Sequence, residues 1–159
     1  GYDICEKTFA KSALWQQTTR TPLIIKLPKE LGGKLFNDNC KHPVSLIDIY
    51  PTLVDLCGLP KNQKIEGRSI VPLLCNPQDN WPYPALITHS PHWHGSNHAV
   101  RSEKFYYIQY NKGGEELYDM SNDPNQLNNL AADSKYAGTK EKMKKWIPKN
   151  NAPHFRPTK

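Results

Sequence analysis

VSLIDIYPTLVDLCGLP, residues 44–60, decides how the first half of this chain is organised. Leu46, Ile49 or Tyr50, Leu53, Val54 and Cys57 recur at helical spacing and trace one apolar face. Pro51 is compatible with that helix only near its first turn, where the missing N–H would have found no partner anyway. The start therefore falls at Ser45 or Asp48 as N-cap, and Gly58 supplies the stop. On this reading Cys57 is a buried free thiol.

Working outward, TFAKSALWQQ (8–17) places Phe9, Ala13 and either Leu14 or Trp15 at the spacing of a short helix. Pro22 disfavours helix at Thr21, and Leu23 to Leu27 reads as a strand ended by Pro28. Gly32-Gly33 marks a turn in the loop 29–43. Residues 60–84 are loop-rich, with EGRSIVPLL followed by the turn cluster NPQDNWPYP. After Pro84 the texture changes. Ala85 to His89, Ala99 to Arg101, Phe105 to Tyr110 and Glu116 to Tyr118 are short runs of β-formers, which predicts a small antiparallel sheet with its hairpin turn at Asn111 to Gly114. SNDPNQLNNLA reads as a turn leading into a short helical stretch. Ala137 to Ile147 reads as an amphipathic helix stopped by Pro148.

The chain has 159 residues and a formal net charge of +6, a balance that favours an anionic partner without choosing one. RNP, zinc-finger and helix-turn-helix signatures are lacking, and Lys140, Lys142, Lys144 and Lys145 read as a solvated helix face, so nucleic acid is not the expected partner. No run of about 18 apolar residues occurs, and no membrane partner is expected. Cys5, Cys40, Cys57 and Cys75 contain no CxxC and do not make a zinc site. Residue 1 is Gly, so the expectation is a removed leader or a longer polypeptide.

Candidate chemistry is sparse. His89, His92, His94 and His98 form H-x2-H-x-H-x3-H, which could hold a transition metal, but no Cys or carboxylate completes a regular ligand set and no metal is expected there. Trp81, Tyr83 and Trp93 suit either a sugar-stacking platform or a domain seam. Asp38, Asp48, Asp55 and Glu66 do not make a spaced acid–base pair.

Taken in order, these segments resemble one family. GYDICEKTFAKSALWQQTTRTPLII (1–25) resembles the part of sulfatases that follows their Asp-His-Gly metal motif, and SLIDIYPTLVDLCGLP resembles their Asp-x-x-Pro-Thr-Leu helix. GRSIVPLL (67–74), NHAVRSEKFYYI (97–108) and GGEELYDMSNDPN (113–125) look like the C-terminal subdomain of bacterial iduronate-2-sulfatase-like enzymes. The resemblance implies residues 1–84 as the end of an alkaline-phosphatase-like α/β catalytic domain, and residues 85–159 as a small α+β subdomain with an antiparallel sheet and a terminal helix. It implies hydrolysis of sulfate esters of polysaccharides or glycosaminoglycans, in the periplasm or outside the cell. By the same resemblance Lys11 is a catalytic cation that holds an oxygen of the substrate sulfate. His98 and His94 lie near the pocket mouth and contact the sugar, whereas Arg101 pairs inside the sheet.

Asp3, Cys5 and a spacing one residue shorter before Lys11 depart from the family's usual reading, and Gln16 stands where an acidic residue is common. A larger departure is the lack of a C/S-x-P-x-R motif, the source of the formylglycine nucleophile. The family's calcium ligands come mostly from its first half. The implied partner is therefore the missing N-terminal half of the same polypeptide, and the chain alone is expected to be inactive. Two other classes fit: a phosphodiesterase or phosphonate hydrolase of the same superfamily, and a non-catalytic binder of sulfated glycans.

Overall fold

A computed structural model describes residues 3–5, 8–10, 13–27, 39–90 and 95–150. The chain divides into two compact units, Thr21–Ala85 and a second made of Gly1–Arg20 with Leu86–Lys159.

In the unit Thr21–Ala85 the principal helix is α2, Ile49–Leu56, entered through a 3-10 turn at Leu46–Asp48. Its ends lie where expected: Pro51 sits in the first turn, and Gly58 (φ +63°) closes the helix with Leu59 N–H donating to Val54 O at 2.9 Å. The Asp48 carboxylate, 7% exposed, accepts from Ser45 N at 2.8 Å and from Arg68 N at 2.8 Å. Thr52 Oγ1 accepts from Ile70 N at 3.0 Å while donating to Asp48 O. Asp48 and Thr52 thus fasten the helix to residues 68–70, just ahead of the short helix α3, Val71–Cys75. Gly67 is required at this junction, because a Cβ there would overlap the carbonyl oxygen of Ile47.

The apolar face expected to be buried is not. Val54 and Thr52 are buried, but Leu46, Tyr50 and Leu53 are all more than half exposed and Cys57 is exposed, so the thiol is not a core group. The buried contacts come instead from the polar side of the motif. Residues 21–27 form no strand and Ile24 is exposed; among the described residues no strand pairs with them.

The second unit is built on a four-stranded sheet in the order β3 (Ala85–His89), β4 (Asn97–Arg101), β5 (Phe105–Gln109), β6 (Glu115–Asp119), with β4, β5 and β6 antiparallel. The β5–β6 hairpin turns at 110–114, where Gly113 takes φ +97°. Alternate residues divide between two apolar clusters. Ala99, Tyr106, Ile108 and Tyr118 join Leu14 and Met120, whereas Val100, Tyr107 and Leu117 join Met143, with Tyr136 and Trp146 against them. Both faces are covered, which is why FYYI reads as a continuous apolar run rather than an alternation.

Local expectations are corrected in three places. The helix predicted over 8–17 is replaced by a hairpin of β1 (Asp3–Cys5) and β2 (Thr8–Ala10), followed by the short helix α1, Gln16–Thr19. Long-range bonds to residues 14–16 set that local geometry. Residues 126–131 are not helical, because Leu130 N donates to Leu117 O (2.8 Å) and Asn129 Oδ1 accepts from Leu117 N (3.0 Å), so the chain runs along β6. Finally, α4 (Ala137–Lys144) does not present all its lysines to solvent. Lys140 and Lys144 reach Glu115 at 2.9 and 3.1 Å, and Tyr107 Oη donates to the same carboxylate at 2.7 Å.

These donors, Lys140 first and then Tyr107, hold the Glu115 carboxyl down at about 2 against an ordinary 4.5. A folded-state value below the unfolded one means the cluster stabilises the fold above pH about 4.5 and loses that contribution as pH falls towards 2. Urea midpoints measured across this window are expected to fall on acidification, and Glu115→Gln is expected to flatten that part of the slope. An unchanged slope in the variant would place the acid sensitivity elsewhere.

Candidate functional site

Lys11, with Ser12, lies outside the described residues, as do His92, Trp93 and His94. What the structure fixes is the chain immediately after Lys11. Leu14 is 3% exposed in the sheet's core cluster, and its carbonyl accepts from Tyr106 Oη at 2.5 Å. The indole N–H of Trp15 donates to Glu116 Oε2 at 2.8 Å. Gln16 N donates to Gln126 Oε1 at 2.6 Å, which satisfies a first-turn amide of α1 that the helix itself cannot. Gln16 Oε1 accepts from Arg101 Nε at 3.1 Å, so Gln16 faces the fold, and the Arg101 guanidinium also donates to Ser102 O.

Sequence reasoning did not find Glu116 or Gln126. Glu116 collects three donors: Trp15, Tyr118 Oη at 2.7 Å and Tyr110 Oη at 3.1 Å. Burial first, then this carboxylate, pushes both phenols up. Tyr106 is pushed up to about 12, chiefly by burial. Gln126 is fully buried with φ +57°, an uncommon conformation for a residue with a Cβ, held by the turn in which Asp123 accepts from Leu127 N and Asn128 N. The usable signal was Trp15 itself, since a covered indole N–H needs an acceptor.

Among the histidines, His98 sits on β4 at 6% exposure with Nδ1 3.1 Å from Thr88 Oγ1. Ser90 Oγ lies 2.6 Å from Ser96 Oγ, and Asn97 Oδ1 accepts from Asn111 N at 3.0 Å. Among the described residues no three His, Cys, Asp or Glu side chains converge on a metal position. Trp81 and Tyr83 pack edge to face at 5.1 Å, and the Arg68 guanidinium lies 4.5 Å from the centre of the Tyr83 ring, occupying a face on which a pyranose would stack. Among the described residues no helix is long and apolar enough to cross a membrane.

The sequence model of the N-sulphoglucosamine sulphohydrolase C-terminal family matches residues 6–152. A sulfatase of Formosa agariphila is 37% identical over 153 residues, covering 96% of this chain and 29% of its own length. A solved structure in complex with its substrate D-glucosamine-2-N,6-O-disulfate is 26% identical, with a TM-score of 0.53 over 62% of this chain and 22% of the other. The phosphonate monoester hydrolase of Agrobacterium radiobacter is 26% identical, with a TM-score of 0.50 over 62% of this chain and 23% of the other. The helices, antiparallel sheet and terminal helix described above are the C-terminal portion of the alkaline-phosphatase-like sulfatase fold. The chain belongs to the sulfatase family, through its N-sulphoglucosamine sulphohydrolase C-terminal domain. It spans less than a third of the length of the sulfatase it matches.

Proposed function

We propose that this chain is the C-terminal part of an enzyme that hydrolyses sulfate esters of a sulfated saccharide, with glycosaminoglycan and iduronate-2-sulfate as the substrate class. The observation that carries it is the family match over residues 6–152, continuous from the Lys11 segment through the sheet and α4. The remaining polypeptide is the partner that supplies the nucleophile and metal. Neither is built from the residues present: Cys75-Asn-Pro-Gln-Asp comes nearest to C/S-x-P-x-R but puts Asp79 where Arg is required, and the described residues hold no ligand cluster. In the complete enzyme a formylglycine side chain would supply the attacking oxygen, and calcium, when bound, would polarise the sulfate. This chain contributes Lys11, an ammonium that stabilises the growing negative charge. His94 and His98 contact the sugar, with His98 Nδ1 held 3.1 Å from Thr88 Oγ1. The enzyme works in the periplasm or outside the cell.

A second reading, phosphonate monoester hydrolysis, is favoured by the Agrobacterium radiobacter likeness. Assaying the complete enzyme on an aryl sulfate and on a phenyl phosphonate monoester separates the two. A higher kcat/KM on the sulfate supports the first reading, and the reverse order overturns it. His98→Ala in the complete enzyme is expected to raise KM for a sulfated saccharide severalfold more than for the small aryl sulfate, because the proposed contact is to the sugar and not to the sulfate. Equal changes on both substrates would remove His98 from the sugar contact.

A further inference from the structure

We propose that the exposed lysines in and around α4 form a cationic face that holds a sulfated polysaccharide chain, an inference that rests for its occupant on the reading of the enzyme as a saccharide sulfatase. Residues 135–149 hold six of the 21 Lys and Arg residues and one of the 15 Asp and Glu residues, which is +5 of the chain's +6. The excess charge is therefore local. Lys140 and Lys144 are turned to Glu115, at 2.9 and 3.1 Å, and Lys140 also donates to Ala131 O at 3.1 Å. Lys135, Lys142, Lys145 and Lys149 are exposed, and among the described residues no carboxylate lies within ion-pair distance of them. Lys142 and Lys145 are neighbours three positions apart at the end of α4, on a different side from Met143, which is buried against the sheet. Lys135 Nζ lies 5.6 Å from the centre of the Tyr136 ring, a contact that leaves its charge in place.

Helix stability accounts for only part of this set. Lys142 and Lys144 fall in the last turn of α4, where the helix dipole favours a cation, but Lys135 stands ahead of the first turn, where it does not. Ammonium groups at neighbouring positions also repel one another. A polyanion laid along them relieves that repulsion and releases its own condensed counterions, which is a gain that grows with each cation engaged. The packing of the helix narrows the choice of polyanion. Tyr136, Met143 and Trp146 pack on the sheet, so the outward side offers no apolar edge to enter a bilayer and no ring on which a base would stack. What remains is a set of spaced positive charges, which suits a saccharide polymer whose sulfates recur along the chain.

The test uses the complete enzyme, with heparin as the probe, titrated at several salt concentrations. Lys142→Gln combined with Lys145→Gln is compared with a control of equal charge, Lys61→Gln combined with Lys64→Gln, two lysines exposed elsewhere on the chain. The first double variant is expected to bind heparin about tenfold more weakly at low salt, with the slope of log K against log salt reduced by about one to two. The control should bind like the wild type. Lys142→Arg combined with Lys145→Arg keeps the charge and should keep the affinity. In the first variant KM for a sulfated polysaccharide should rise about fivefold or more relative to KM for an aryl sulfate, which carries one anionic group and gains little from a row of cations. Equal losses in the two Gln variants, or no loss in the first, overturn the face. Tighter binding of the wild type to duplex DNA or to phosphatidylserine vesicles than to heparin overturns the glycan as its occupant. Heparin binding lost in the first variant alone, in an enzyme that releases sulfate from no saccharide, supports the face and overturns the substrate reading beneath it.

Discussion

Replacing Gly67 by Ala is expected to destabilise the Thr21–Ala85 unit by at least about 3 kcal/mol, among the largest effects a single methyl can have. The added Cβ would overlap the Ile47 carbonyl oxygen and stand 2.6 Å from its carbonyl carbon and 3.2 Å from Asp48 N. These are backbone atoms at the mouth of α2, so no side chain can swing away to make room. Relief requires residues 67–70 to retreat, which would break the bonds from Arg68 N to Asp48 and from Ile70 N to Thr52. Asp48 would then be a buried carboxylate short of a donor. Urea unfolding followed by far-UV circular dichroism, with amide exchange at 49–56, reads the effect. A loss below about 1 kcal/mol would mean that the 67–70 segment does not depend on this close approach.

Lys11→Ala in the complete enzyme is expected to cost roughly 2 to 4 kcal/mol of transition-state stabilisation, about 30- to 1000-fold in kcat/KM. The loss should be nearly the same for an aryl sulfate and a sulfated saccharide, because the sulfate is common to both. Lys11→Arg should restore little, since a planar fork does not replace a compact ammonium at a fixed point. A change below about threefold would leave Lys11 as a surface residue.

Element ends were legible where a single residue forces the backbone. Pro51 and Gly58 bracket α2, and Asn111 to Gly114 marks the hairpin. Burial was less legible. Leu46, Tyr50, Leu53 and Cys57 announce an apolar stripe, but a stripe does not say whether its cover lies within these residues, and in this structure it is exposed. Asp48 and Thr52, which read as ordinary polar positions, turn out to be the fastening. Residues 14–16 were misjudged for a related reason. Their conformation is decided by partners about a hundred positions away, which local periodicity cannot register. The functional reading came from the order of five stretches and not from composition. It named Lys11, His94 and His98, of which His98 lies among the described residues, and it passed over Glu116 and Gln126, whose bonds to residues 15 and 16 exist only in the folded chain.

The bonds that seat residues 14–16 span 92, 101 and 110 positions, and this has a consequence for how the protein is made. On a ribosome adding about 5–20 residues per second, Leu14 and Trp15 emerge roughly 5 to 20 seconds before their acceptors and donors exist. Closure across so many residues is intrinsically slow, and the uncovered Leu14 and Trp15 are available to wrong partners in the interval. The pace of translation and any chaperone that covers residues 14–16 during the delay thus bear on folding alongside the stability of the finished sheet.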